Sequence, residues 1–256
     1  MRKVVAVIDP APGDLIVEIG AGRGALTLGL AARARRLLAV ELDPALARRL
    51  QPLVPANVDV LQADFLDVDL TEAAAALRRA SEQPAGALRI AGNLPYVASA
   101  PILLRLLHAA APAGIRDAVV MLQREVAERV VASAGSRAYG PLAVMTALHA
   151  DARWMLDVPP GAFRPVPRVR SAIVSLRFRA PARTPVDPAG FESLVRGLFT
   201  RRRKQVVNAL AACGPARGLD PAAVCRAAAL PPTRRPGALD LPELIDLADV
   251  LAALRR

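Results

Sequence analysis

The sequence predicts an α/β protein: a doubly wound, mostly parallel sheet with antiparallel edge strands, then a small helical domain. Three observations carry this expectation. Short apolar runs recur at 15–19, 37–41, 58–61, 88–91 and 118–122, with helical periods between them, the pattern of βαβ units in a sheet covered on both faces. Two further β-rich runs, 154–158 and 172–176, read as an antiparallel pair at one edge. Beyond the three prolines of 181–188 the chain offers helical periods and no strand candidate.

The elements come in order. Leu15-Ile16-Val17-Glu18-Ile19 is a buried strand, and Ala25 to Ala34 the helix after it. Leu37 to Glu41 is the second strand, and Pro44 to Gln51 a short helix that tolerates proline in its first turn because no helical N–H hydrogen bond is lost there. Val58 to Leu61, Leu88 to Ala91 and Ala118 to Leu122 complete the parallel set. Residues 191–211 and 241–254 are helical by period, and the Pro-rich stretch between strand and helix places a domain boundary at 180/181. The expected domains are therefore 1–180 and 181–256.

Composition narrows the classes. With 256 residues, 54% apolar and 22% charged, the chain can bury a large core, which excludes wholesale disorder. No apolar run reaches the roughly 18–20 residues of a membrane span, and the run Val4 to Ile8 is checked at once by Asp9-Pro10, too short for a signal core. Cys213 and Cys225 suggest neither a disulfide framework nor a metal set, and His108 and His149 lack a ligand pattern, so a metal-free protein of the reducing cytoplasm is expected. The formal net charge is +11, but it is unevenly placed. Residues 1–163 hold 17 basic and 16 acidic side chains; residues 164–256 hold 17 and 7, a net of +10. That excess points to a polyanionic partner met by the last third.

The first strand runs into Gly20-Ala21-Gly22-Arg23-Gly24. Glycines there allow a tight turn and close approach to a ligand at a helix start. The spacing is G-x-G-x-G, not the dinucleotide G-x-G-x-x-G; alone it is a weak signal that a plain strand-to-helix turn also gives, and a nicotinamide site would leave Asp64 without a duty. Glu41 ends the second strand, where a carboxylate accepts from ribose hydroxyls, and Asp64 closes the third, where it can take an adenine amino hydrogen. This order of glycine loop, acid and acid resembles class I S-adenosylmethionine-dependent methyltransferases, whose fold is Rossmann-like. The resemblance implies S-adenosyl-L-methionine as cofactor, with Glu18, Gly20, Gly22, Gly24, Glu41, Asp64 and Asn93 at its site.

The fourth strand ends in Asn93-Leu94-Pro95-Tyr96, which is similar to the corner of methyltransferases acting on an exocyclic base nitrogen. The residue types suit that chemistry. The N6 amine of adenine is a poor nucleophile, because its lone pair is delocalised into the ring. The Asn93 side-chain oxygen and a backbone carbonyl beside Pro95 can accept its two hydrogens and shift the nitrogen towards tetrahedral geometry. Proline fixes the turn, and Tyr96 offers a face on which an extruded base stacks. Positioning and electrostatics then suffice, since methyl transfer from a sulfonium needs no metal.

Residues 158–172, Val-Pro-Pro-Gly-Ala-Phe-Arg-Pro-Val-Pro-Arg-Val-Arg-Ser-Ala, resemble the V-P-x-x-x-F-x-P-x-P-x-V-x-S segment of rRNA adenine N6-dimethyltransferases. That resemblance makes Phe163 the second stacking face. Phe199 to Leu210, containing Arg201-Arg202-Arg203-Lys204, resembles the family's basic helix. With Arg164 and Arg168, those four cations are the expected phosphate contacts. Together with Leu122 to Val126 and Tyr139-Gly140-Pro141-Leu142, the wording is similar to the KsgA/RsmA-type 16S rRNA adenine N6,N6-dimethyltransferases. Membership implies dimethylation of two adjacent adenosines in the 3′-terminal hairpin loop of 16S rRNA, within an immature small subunit; a monomer is expected. A 23S rRNA methyltransferase conferring macrolide resistance, which typically carries Ile at the place of Leu94, and a non-catalytic small-subunit assembly factor are the alternatives. The family also begins with a basic segment and a Gln-Asn-Phe-Leu motif ahead of the residues aligned with Met1 to Val5. A chain without it is expected to have one wall of its cofactor site open.

Overall fold

The computed structural model describes residues 2–81, 86–162 and 169–255. The chain divides into two compact units, Met1–Ala127 with Ala150–Ala180, and Glu128–His149 with Pro181–Arg256. The expected boundary at 180/181 recurs there, but the segment 128–149, which the sequence reading places in the first domain, packs with the second unit. The reason is a set of contacts across a long sequence gap: the buried Tyr139 hydroxyl donates to the Leu239 carbonyl at 2.9 Å, and its ring meets Phe199 edge-on at 5.5 Å.

The first unit carries a seven-stranded sheet: β1 (Leu15–Ile19), β2 (Arg36–Glu41), β3 (Val58–Gln62), β4 (Leu88–Asn93), β5 (Ile115–Gln123), β6 (Ala150–Val158) and β7 (Ser171–Phe178). Their order is β3-β2-β1-β4-β5-β7-β6, with the first five parallel and the last two joined antiparallel at one edge. Each run anticipated from the sequence lies within one of these strands. Its helices are α1 (Arg2–Ile8), α2 (Thr27–Ala31), α3 (Pro44–Leu50), α4 (Leu70–Ala80), α5 (Ser99–Ala113) and α6 (Arg124–Val130), which runs past the unit's limit. Asp43 caps α3 through the amides of Ala45 and Leu46, and Asp69 caps α4 through those of Thr71 and Glu72.

Burial explains why β1 reads as an unbroken apolar run. Side chains alternate between faces along a strand, yet all five residues of β1 are buried, so both faces are covered. Ile16 belongs to the core that includes Ile8, Leu30, Leu37 and Leu50. Near the amino ends of β1, β4 and β5 a buried ion cluster forms. Arg89 donates to Asp14 at 2.8 Å and Asp117 at 2.7 Å, and to the carbonyls of Ile8 and Asp9, which ties the end of α1 to the sheet.

The second unit is helical: α7 (Pro141–His149), α8 (Pro188–Phe199), α9 (Val206–Ala211), α10 (Pro221–Ala227) and α11 (Leu241–Leu254). Asp240 and Glu243 form a reciprocal capping box at the start of α11. The single helix anticipated over 191–211 is two helices broken at 200–205, so the four consecutive cations lie on a turn and not on a helix. Here Arg202 donates to the carbonyls of Arg137 at 2.7 Å and Ser136 at 3.1 Å, and the Gly135 amide donates to Gly237. These bonds stitch three separate segments together. Among the described residues, no helix is long and apolar enough to cross a membrane.

Candidate active site

In the order β3-β2-β1-β4-β5 the strands are added in opposite senses on the two sides of the β1–β4 seam, and such a switch point opens a crevice beyond the strand ends. Ile19 pairs with Gly92 there. A Cβ on Gly92 would stand 2.4 Å from the Ile19 carbonyl oxygen, so only glycine lets the two strands approach this closely. One step further, Gly20 adopts φ +70°, and a Cβ there would lie 3.1 Å from the Asn93 carbonyl. The glycine loop and the tetrapeptide are therefore pressed against each other.

The crevice has a volume of about 840 Å³. Of the residues anticipated for the site, Gly20, Glu41, Asp64, Asn93, Leu94, Pro95 and Tyr96 line it. Glu18, Gly22 and Gly24 are not on its wall. Gly22 and Gly24 also have positive φ and shape the loop from behind. The Glu41 carboxylate accepts the Gly22 amide at 2.6 Å and the Asp43 amide at 2.9 Å, so it braces the loop and the start of α3 while facing the crevice. Asp64 accepts the Leu66 amide at 2.9 Å. Glu18 is buried, and its Oε2 has no hydrogen-bond partner among the described residues. Burial pushes its carboxyl up to about 7; the nearby Thr27 hydroxyl opposes this, and the Glu41 charge adds to it.

The corner is held from several sides. The Leu94 amide donates to the Met121 carbonyl at 3.1 Å and the Ala98 amide to Pro95 at 3.1 Å, while Ser99 Oγ donates to the Tyr96 carbonyl at 3.2 Å. The Asn93 side chain is exposed and Tyr96 half-buried at the wall. The apolar wall residues that escaped the sequence reading include Leu42, 60% exposed, and Val97, 99% exposed. Their position next to Glu41 and Tyr96 was the available signal. Phe163, Arg164 and Arg168 lie outside the described residues. Arg201, Arg203 and Lys204 are exposed in the second unit, whereas the half-buried Arg202 is spent on its two carbonyls.

A family profile described as Ribosomal RNA adenine dimethylase matches residues 1–224. The chain belongs to the ribosomal RNA adenine dimethylase family. A relative named Ribosomal RNA small subunit methyltransferase A, from Methylibium petroleiphilum, is 47% identical over 207 residues, which is 81% of this chain and 76% of that one. Its namesake from Pelotomaculum thermopropionicum is 40% identical over 260 residues, 96% and 85% of the two chains. Among solved structures, a dimethyladenosine transferase from Plasmodium falciparum shares the fold with a TM-score of 0.74 at 21% identity, covering 96% of this chain and 92% of that one. The 23S rRNA methyltransferase ErmE gives 0.68 at 26% identity, covering 98% and 96%. As a family member the chain is an S-adenosylmethionine-dependent rRNA adenine dimethyltransferase with a class I methyltransferase fold.

The residues present fit that cofactor. The crevice offers two carboxylates for hydroxyl and amino hydrogens, the apolar surfaces of Leu42 and Phe65, and a glycine loop that keeps backbone out of the way. When bound, the cofactor supplies a sulfonium-activated methyl group.

Proposed function

We propose that the chain dimethylates N6 of two adjacent adenosines in the 3′-terminal hairpin loop of 16S rRNA, acting as a monomer on an immature small subunit in the cytoplasm. The observation that carries this reading is the approach of the Gly20 loop to the Asn93 carbonyl, which joins a cofactor wall to a base-amine corner within one crevice. In this reading Glu41 holds the ribose hydroxyls and Asp64 the adenine amino group of the cofactor. Asn93 Oδ1 accepts one hydrogen of the target amine. Of the carbonyls around Pro95, that of Pro95 receives the Ala98 amide and that of Tyr96 receives Ser99, so the Leu94 carbonyl takes the second hydrogen. Hydrogen bonds accepted from both amine hydrogens localise the lone pair on the nitrogen; for each methyl group that a bound cofactor would supply, one of these hydrogens leaves as a proton to water, so no strong base is needed.

Tyr96 stacks on the base, with Phe163 as its opposite face, and Arg164, Arg168, Arg201, Arg203 and Lys204 meet phosphates. Small-subunit RNA is favoured over 23S RNA because the relatives named for the small subunit are 40–47% identical, against 26% for ErmE. Primer extension on RNA from a methylation-deficient host, after incubating its small-subunit precursors and its large subunits with the protein and cofactor, tests this. Stops at the adjacent adenosines of 16S RNA are expected; stops in 23S RNA would overturn the assignment.

A further inference from the structure

Ser171 is the first residue of β7 and 1% exposed. Because β7 runs antiparallel to its neighbour, its beginning pairs with Gln123, the end of β5, and so stands at the edge where the parallel strands open into the crevice. On the other side Ser171 pairs with Val158. A hydroxyl buried at such a place costs stability unless it is hydrogen-bonded. Among the described residues its partner is the Tyr96 hydroxyl, 3.3 Å away and 75 residues earlier in the chain. Ser99, itself buried, holds the Tyr96 backbone by its carbonyl. With the backbone anchored, the freedom left to Tyr96 is the swing of its side chain, and Ser171 removes it at the far end of the ring. The separation is long for an O–H···O bond, and bonds of this kind at catalytic sites commonly tighten when substrate closes on them.

We propose that Ser171 is a positioning residue for base capture: its hydroxyl pins the Tyr96 ring in the attitude that receives the target adenine beside Asn93. This rests on the reading of Tyr96 as the stacking face. It makes no contact with cofactor or substrate by itself, and its effect passes entirely through the tyrosine.

The test is a cycle of Ser171→Ala, Tyr96→Phe and the double variant, assayed for methyl transfer to small-subunit precursors with kcat and RNA KM measured separately. Each single change is expected to lower kcat/KM by about 3–10-fold, the weight of one hydrogen bond, with cofactor affinity unchanged. The double variant is expected to lose no more than either single one. Losses that multiply, or an unaffected Tyr96→Phe, would overturn the inference. Tyr96→Ala serves the underlying reading separately: full activity there would refute stacking itself.

A spectroscopic arm guards against a merely structural effect. The chain has two tyrosines, so 3-fluorotyrosine labelling yields one fluorine signal from Tyr96 and one from Tyr139 in the other unit. Ser171→Ala is expected to move the Tyr96 signal and leave the Tyr139 signal in place. If neither moves, the two hydroxyls are not coupled; if both move, Ser171 acts on the fold, and the inference fails. Should Ser171→Ala not fold, Tyr96→Phe alone decides, since it must reproduce the loss.

Discussion

The crevice of the first unit and the basic turn of the second place their polar groups by different means. In the crevice each group stands at the end of a strand, and the sheet register delivers it: Glu41 from β2, Asp64 just past β3, Asn93 from β4. On the turn at 200–205, four adjacent cations share one stretch of chain, and their duties diverge. Arg202 bonds to two carbonyls and holds the unit together, while Arg201, Arg203 and Lys204 face solvent. Three polar residues at strand ends thus gather at one crevice, whereas a run of like charge divides between bracing and solvent.

The largest effect expected falls on the crevice. Asn93→Ala should reduce methyl transfer by about two to three orders of magnitude, the scale for removing one preorganised polar group from a transition state. Cofactor affinity by calorimetry should stay close to wild type. Equal loss of both would erase the distinction between the two walls of the crevice.

Glu18 gives the next test. Its carboxyl rises from 4.5 to about 7 on folding, so the folded state holds the proton more tightly. The associated stability is present below the unfolded value and is lost as the pH climbs through the folded one. Glu18→Gln should therefore melt with the wild type near pH 4 and at higher temperature by pH 8, a gap of up to about 3 kcal/mol. A constant gap across that range would show that Glu18 does not titrate there.

Gly92→Ala comes third. Its Cβ must push β4 from β1 at the crevice, and a displacement of this kind costs on the order of 10–100-fold in kcat with a smaller change in cofactor affinity.

The smallest effects separate the cations of the turn. Arg202→Ala should destabilise the second unit by about 1–3 kcal/mol, read from denaturant unfolding, because two carbonyls lose a charged donor. Arg203→Ala should leave stability unchanged and lower the salt dependence of RNA binding by about one unit of slope. If the two variants behaved alike, the turn would be as uniform as its sequence suggests.

Much of the first unit was legible because its signals are local. Five apolar runs separated by helical periods leave few arrangements for a parallel sheet, and the glycine loop, Glu41, Asp64 and Asn93 each stand at or just past a strand end. The helix over 191–211 was read too long because apolar periodicity persists on both sides of Phe199, while the break at 200–205 is held through Arg202 by bonds to 136–137 and to Gly237, far away in sequence. The same long-range packing draws the segment 128–149 into the second unit.

By itself the sequence determined the fold class, the order of the strands along the chain and the residue types of the crevice, because these depend on periodicity and on the residues at each strand's end. Tertiary structure alone decided that the buried Glu18 keeps one carboxylate oxygen without a partner among the described residues, that Arg202 is a brace, and that Ser171 meets Tyr96. Each of these depends on which groups folding brings near from elsewhere in the chain, and a hydrogen bond made or missed across such a span leaves no mark in local sequence.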